Sequence, residues 1–454
     1  MRVLISGAGP AGLTVAYWLK KYGFRPTLIE LAPQLRTGGY KLDVRGSAIE
    51  MMRRMGIYDD VRKASTDMQG ALLVDKDGKI LHKMTGDDFG HREGDDLEIM
   101  RGALCQILLD KIPDVEIIYG DSIQGILQEK DSVTVKFKKN ESRIFDLIIG
   151  ADGIHSRVRK LVFGEESQFA HKLGVICSTF TIPNFLNLDR IEMQYTGFGK
   201  AAILWNTRGD SDVRASFAFI SHNQVEPKDT LAQQKLIRHV FKEIGGEVPK
   251  MLELMPSTQD FYFDDATQIR MDRYSQDRVV LLGDAGYCPS PVSGQGLSQG
   301  IVGGYVLAGE LAAAKGDYKT AFDQYEKEMR PFVLLNQQLG IHSAAFFKSL
   351  EKKSLSTWLF GKLMSLAPTK LIASYFIHSA TRRIQHVANS IKLKDYPEKE
   401  CLSSNASSSV KALSSRSAAV FSISARAVTN RESSCASSLE KRSSSITTKI
   451  KKYK

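Results

Sequence analysis

Three glycine-centred segments, Gly7-Ala8-Gly9-Pro10-Ala11-Gly12, Gly150-Ala151-Asp152-Gly153 and Gly283-Asp284-Ala285, are spaced through the first ~300 residues. One nucleotide-binding loop cannot account for all three. The first follows the apolar run Val3-Leu4-Ile5-Ser6 and opens a helical stretch from Ala11 to Lys21, so it sits where a strand turns into a helix. In that context Gly7 permits the tight turn, Gly9 lets a pyrophosphate approach the backbone, and Gly12 lets helix and strand pack closely. The helix N-terminus then faces the anion.

Thr27-Leu28-Ile29-Glu30 reads as the next strand and ends in an acid placed to take a ribose hydroxyl pair. An acid there disfavours a 2′-phosphate, so FAD or NAD fits this pocket better than NADP. The second segment ends the buried strand Asp146 to Ile149 and runs into a helix start carrying Arg157 and Arg159. The third ends the strand Arg278 to Leu282 on Asp284, and Gly294-Gln295-Gly296-Leu297 then opens a helix through about Ala314. A carboxylate at Asp284 can accept sugar or ribitol hydroxyls, while the glycine-rich helix start faces phosphate or an anionic ring edge.

In this order the three segments make the chain resemble the class A flavoprotein monooxygenases, the family of para-hydroxybenzoate hydroxylase, over about residues 1 to 390. Within it, Gly38 to Asp43, the Met100-Arg101 helix start and Gly283 through Pro291 to Gly296 are most similar to the tetracycline-inactivating monooxygenases. The resemblance implies an α/β fold: a Rossmann-like FAD-binding domain (1–171 and 264–317), an antiparallel β-sheet substrate domain (172–263) and C-terminal helices (318–395). A Ser-rich basic tail (396–454) follows. Where relatives carry Ala-His after the Gly-Asp pair this chain has Gly286-Tyr287, and Ser290-Pro291 stands for Pro-Pro.

The resemblance also implies roles. Gly7, Gly9, Ala11, Gly12 and Arg101 would hold the pyrophosphate of FAD, Arg101 competing with a solvated charge at a helix start. Glu30 and Asp284 would hold its ribose and ribitol hydroxyls. Asp152 would order its turn, with Arg157 near the phosphate channel. Pro291, Gly294, Gln295, Gly296 and Leu297 would border the flavin ring, and Arg45, in the Gly39 to Arg45 stretch, would approach it. NADPH or NADH would dock transiently as reductant, O2 would add as a C4a-hydroperoxide, and its terminal oxygen would attack an electron-rich phenol or enol. The hard chemistry belongs to the cofactor, so no triad or metal is expected.

Residues Lys172 to Phe263 alternate with period two, as in Val213-Arg214-Ala215-Ser216-Phe217-Ala218-Phe219, which predicts an antiparallel sheet with one buried and one free face. Met193, Trp205, Arg214 and Phe217 are cavity candidates on it. Alternation nevertheless puts Arg214 and Phe217 on opposite faces. Ser47 to Lys63 reads as one amphipathic helix, Tyr318 to about Leu350 as a long one, then Leu355 to Leu366 and Lys370 to about Lys392, broken at Pro368.

With 454 residues, 43% of them hydrophobic, the chain has material for two domains' worth of core. The net charge of +11 concentrates in residues 392–454, where 13 Lys and Arg face 5 Asp and Glu, leaving +3 elsewhere. No nucleic-acid partner follows from it. The stretch 401–454 holds 17 serines without apolar periodicity and reads as a solvated appendage. Five scattered cysteines with no CxxC pair suggest free thiols in a reducing compartment. No run reaches the ~18 apolar residues of a membrane span, and no signal peptide is apparent; the expectation is a cytoplasmic monomer acting on a small-molecule substrate.

Two other readings stay open: a same-fold hydroxylase of another aromatic metabolite, and a non-catalytic FAD-binding protein. A flavin halogenase is disfavoured because Trp18, Trp205 and Trp358 supply no WxWxIP motif. Gly9→Val should abolish FAD retention through gel filtration, and a variant that keeps stoichiometric flavin would remove the first loop from the site.

Overall fold

The computed structural model describes residues 1–350 and 369–397, apart from 37, 76, 198, 222–225 and 227–228. Strand Arg2–Ser6 lies inside a six-stranded sheet. Its order is Ser275–Gln276, Val279–Leu281, Leu147–Gly150, Arg2–Ser6, Arg25–Glu30, Glu116–Tyr119. All neighbours pair in parallel except Ser275–Gln276. The inner strands are continuous apolar runs because a parallel sheet is covered on both faces, and Val3 to Ile5, Leu147 to Ile149 and Val279 to Leu281 are fully buried. The three glycine segments therefore emerge side by side at the carboxyl ends of adjacent strands.

A seven-stranded sheet runs Tyr262–Ile269, Ala170–Pro183, Asp212–Ile220, Lys200–Trp205, Ile191–Gly197, Gly70–Val74, Ile80–Thr85. It is wider than the 172–263 segment predicted. Gly70–Val74 joins it from the N-terminal half by a parallel pairing with Ile191–Gly197, something local alternation cannot disclose. One face of this sheet carries Phe180, Tyr195, Leu204, Phe217 and Phe219 into an apolar cluster with helices Thr230–Phe241 and Val248–Leu254. Phe241 meets the Phe217 ring edge-on at 4.7 Å. A two-stranded ribbon, Lys41–Val44 with Leu97–Met100, lies between this sheet and the glycine loops.

Helix Gly296–Ala313 is the central packing element, and four of its glycines are shaped by four neighbours. A Cβ on Gly300 would stand 3.1 Å from Ala11 Cβ, and one on Gly304 would stand 3.1 Å from Val15 N, so the helix Pro10–Lys21 can lie against it backbone to backbone. On Gly303 a Cβ would meet the Tyr287 hydroxyl at 2.2 Å, and on Gly309 the Tyr396 ring at 2.1 Å. Tyr287 is thus a core residue, its hydroxyl paired with Tyr325 Oη at 2.8 Å, and Tyr325 in turn donates to Leu281 O.

The stretch 47–63 is two helices rather than one, Ser47–Arg54 and Tyr58–Lys63, because Gly56 takes a left-handed φ of +65° between them. Tyr318–Ser349 is a single 32-residue helix as expected. The 355–366 segment lies outside the described residues, and the following helix spans Thr369–Ala388. After it the chain returns onto the central helix: Tyr396 Oη donates to Glu310 at 2.8 Å and Lys394 Nζ lies 3.0 Å from the same carboxylate. The tail expected from 396 therefore begins later than Tyr396, and residues 398–454 lie outside the described residues. Among the described residues no helix is long and apolar enough to cross a membrane.

Gly303→Ala should lower unfolding stability by ~1–3 kcal/mol through overpacking against a hydroxyl that Tyr325 fixes. Adding Tyr287→Phe should restore most of the loss in urea melts, and an equal loss in the double variant would show that Tyr287 is not the obstacle.

Candidate active site

The first glycine loop is built by close approach of two backbones. Gly7 has φ +104°, and a Cβ there would lie 2.4 Å from Ala151 O; a Cβ on Gly12 would lie 1.9 Å from Gly7 O. Asp152 binds this crossing together. Its carboxylate accepts from Ser156 Oγ at 2.5 Å, Arg157 N at 2.9 Å, Val158 N at 3.1 Å and Ser6 Oγ at 3.3 Å. Burial raises its pKa, against the pull of those donors. Asp152 therefore orders the loops.

Helix Pro10–Lys21 begins at Gly9 with no side-chain cap, leaving first-turn N–H groups without partners from the helix itself. Arg101 closes over that end. Its Nη2 would lie 3.3 Å from a Cβ on Gly9, and no carboxylate stands within ion-pair distance of it among the described residues. Ala8, Glu30, Leu35, Arg36 and Arg101 line one small cleft. Glu30 is fixed there by the N–H groups of Ala8 and Ala32, each 2.9 Å away, with Arg36 4.0 Å from its carboxylate. Arg36 was not anticipated, since a lone basic residue in a loop gives no periodic signal.

The Gly-Asp segment packs directly against the first helix start, a Cβ on Gly283 lying 3.4 Å from Ala11 Cβ. Asp284 lies beside the helix start, 3.4 Å from where a Cβ on Gly296 would be. Burial raises its carboxyl pKa, and the thiol of Cys288 offers a compensating hydrogen bond. Pro291–Ser293 forms a 3-10 turn, Gly294 is left-handed at φ +65°, and helix Gly296–Ala313 starts without a side-chain cap. Pro291 and Gly294 are exposed, Gly296 and Leu297 partly so. Gln295 and Gln299 are fully buried with neither amide atom hydrogen-bonded, and Ser290 Oγ is likewise unpartnered. Buried orphan groups of this kind mark a site that something else completes.

Arg45, expected to approach the flavin ring, sits against Asp43. Its guanidinium is buried and donates to Gly90 O at 2.5 Å and His91 O at 2.6 Å, with Asp43 2.8 Å away. Asp43 is the residue that reaches the loop, 3.8 Å from a Cβ position on Gly294. The Arg157 side chain donates to Ile123 O at 3.3 Å and Gln124 O at 3.5 Å. Backbone carbonyls distant in sequence hold both cations, while Arg45 Nε is buried without a partner among the described residues.

On the seven-stranded sheet the cross-strand register puts Thr179, Ser216, Ile203 and Gln194 in one row, and Thr181, Arg214, Trp205 and Glu192 in the next. This is the face opposite Phe217. Trp205 Nε1 donates to Ser216 Oγ at 3.1 Å, and Thr179 Oγ1 meets the same oxygen at 2.9 Å. Met193 and Phe217 pack into the apolar cluster on the other face, while Trp205 and Arg214 pair with each other on this one. Tyr262 pairs with Thr179 at the end of the first of these rows. Alternation put Ser216 on the face of Arg214, but the register that brings Thr179 beside it was not legible in the sequence.

A family model described as an FAD binding domain matches residues 1–338. The chain belongs to the FAD-binding monooxygenases. It is 43% identical over 343 residues to a flavin-dependent monooxygenase of Legionella longbeachae serogroup 1 (strain NSW150), covering 75% of this chain and 88% of that one. Among solved structures it is similar to the tetracycline destructase Tet(51), with a TM-score of 0.75 and 37% identity over 87% of this chain and 99% of that one. Tet(55) gives a TM-score of 0.76 and 35% identity over 87% and 98%. The glycine cradle, the unpaired Arg101 above an uncapped helix end and the orphan amides fit the FAD that the family binds.

His155 joins the second glycine segment to the edge of the seven-stranded sheet of this monooxygenase, with Nδ1 3.0 Å from Glu166 and Nε2 3.1 Å from Asp264. Hydrogen bonds with Asp264 and then Glu166 outweigh burial and lift its pKa to about 10. A raised folded-state pKa means stabilisation that is complete below the unfolded value of about 6.5 and lost as pH rises toward about 10. The Tm deficit of His155→Gln should accordingly be largest in mildly acidic buffer and vanish by about pH 10; a deficit independent of pH would exclude the ion pair. Arg101→Met should raise the Kd for FAD by roughly 10- to 100-fold by removing a charge-assisted contact, read by flavin fluorescence titration, whereas an unchanged Kd would make Arg101 a solvated charge.

Proposed function

We propose that this monooxygenase consumes NADPH or NADH and O2 to hydroxylate an electron-rich phenolic or enolic polycyclic substrate, with a tetracycline as the named candidate. The reading rests on one observation: the likeness to two tetracycline destructases, above one third identity, extends over nearly the whole of those chains. In the balanced reaction the nicotinamide supplies two electrons as hydride, one oxygen atom enters the substrate, and the other leaves as water. FAD, when bound, supplies the electron transfer and oxygen activation.

The chain's own residues bind and orient. Arg101 and the Gly7 to Gly12 loop would neutralise a pyrophosphate, Glu30 would accept ribose hydroxyls, and Asp284 ribitol hydroxyls. The first-turn N–H groups of helix Gly296–Ala313 would offer partial positive charge to an anionic ring edge. Trp205, Ile203 and the Thr179–Ser216 hydroxyl pair would form a wall with both an apolar plate and hydrogen-bonding groups. Such a mixture suits a flat, polyoxygenated ring system, and holding it near the reacting oxygen while excluding water is the protein's contribution to rate.

The test is NADPH oxidation by FAD-loaded protein with and without tetracycline, with the drug's long-wavelength absorbance and product mass followed together. Stimulated oxidation with gain of one oxygen atom is the expected result. Slow, unstimulated oxidation releasing peroxide would keep a hydroxylase and discard the tetracycline; no oxidation at all would favour a non-catalytic flavoprotein.

A further inference from the structure

A buried row of alternating charges crosses the gap between the sheet wall and the flavin-facing loop. Lys41 Nζ lies 2.7 Å from Glu192 and 3.5 Å from Glu98; Arg92 lies 3.1 Å from Glu98 and 4.0 Å from Asp43; Arg45 lies 2.8 Å from Asp43. Three cations thus face three carboxylates, with Thr66 Oγ1 donating to Glu98 at 2.6 Å. Lys41 and Asp43 share a face of their strand because they are two residues apart, and Asp43 stands opposite Glu98 across the ribbon. At one end of the row Asp43 approaches Gly294. At the other, Glu192 stands across from Trp205, and the Lys41 ammonium lies 4.9 Å from the centre of the Trp205 ring.

An ammonium this enclosed is costly unless something holds its charge. Burial lowers the pKa of Lys41, but Glu192 and Glu98 more than reverse that, so the group stays charged. Replacing such a row by apolar packing is often neutral for stability. What the row joins is the buried Trp205 indole and a carboxylate beside the Gly294 turn.

We propose that Lys41 is a positioning residue of this monooxygenase: clasped by Glu192 and Glu98, it holds the Trp205 ring in place and sets the substrate wall at a constant distance from the flavin-facing loop. This rests on the reading of that sheet face as the substrate wall. Loss of the clasp should let the indole swing, loosen substrate placement and divert reducing equivalents from product to peroxide.

The test compares FAD-loaded wild type, Lys41→Arg and the charge-balanced double variant Lys41→Gln/Glu192→Gln, which leaves no lone buried carboxylate at Glu192. Trp205 emission is isolated by subtracting the spectrum of each protein's Trp205→Phe counterpart, without substrate. The double variant should show several-fold stronger acrylamide quenching of Trp205, and Lys41→Arg should remain close to wild type. With tetracycline as probe, the double variant should need roughly five- to tenfold more drug for half-maximal turnover, the scale of one cation–π contact, with a lower yield of product per NADPH.

Unchanged Trp205 quenching would overturn the proposal whatever the turnover does. Altered quenching with wild-type KM and yield would also overturn it, since Lys41 would then hold the ring without placing substrate. If wild type itself leaves tetracycline untouched, the function proposed above has failed, and the Lys41 clasp stands or falls on the quenching result alone.

Discussion

Everything in this structure is arranged around the crossing of backbones at Gly7, where a single added carbon would collide with Ala151 O at 2.4 Å. That approach draws the first and second glycine segments together, and Asp152 locks them by accepting four hydrogen bonds. The third segment joins through small residues, with Gly283 and Gly300 both packed against Ala11. Once the three loops share one edge of the parallel sheet, two uncapped helix ends face the same region, one beneath Arg101 and one beside Asp284. Anion binding and ring binding follow from the same geometry.

The second sheet solves a different problem. Its aromatic face is sealed by Thr230–Phe241 and Val248–Leu254, and the Thr179–Ser216 hydroxyl pair lies on the opposite face. A wall composed of Trp205, Ile203, Ser216 and Thr179 carries both dispersion and hydrogen-bonding capacity. The Lys41–Val44 ribbon bridges that wall to the glycine turn by charge pairs, Lys41 with Glu192 and Asp43 with Arg45.

The glycine spacing, the strand-to-helix grammar and the acids at Glu30 and Asp284 were legible in the sequence because each is a local requirement: a turn, a close approach, an acid at a strand end. Period-two alternation correctly separated Arg214 from Phe217. It could not say which side would be covered, because that depends on helices later in the chain. The partners of Arg45 and Arg157 were hidden for a related reason. A guanidinium is read from sequence as available for a phosphate or a flavin, and only the fold reveals that Gly90, His91, Ile123 and Gln124 carbonyls already occupy these two.

By itself, then, the sequence determined that this chain binds a dinucleotide such as FAD at the carboxyl edge of a parallel sheet, since backbone sterics at a few glycines allow little else. Tertiary structure alone decided which sheet face the helices cover, that Gly70–Val74 belongs to that sheet, that Asp43 meets the Gly294 turn, and that Lys41 reaches Trp205. Those outcomes depend on residues far apart in the chain competing for the same hydrogen bonds and the same space, and no local pattern records who wins.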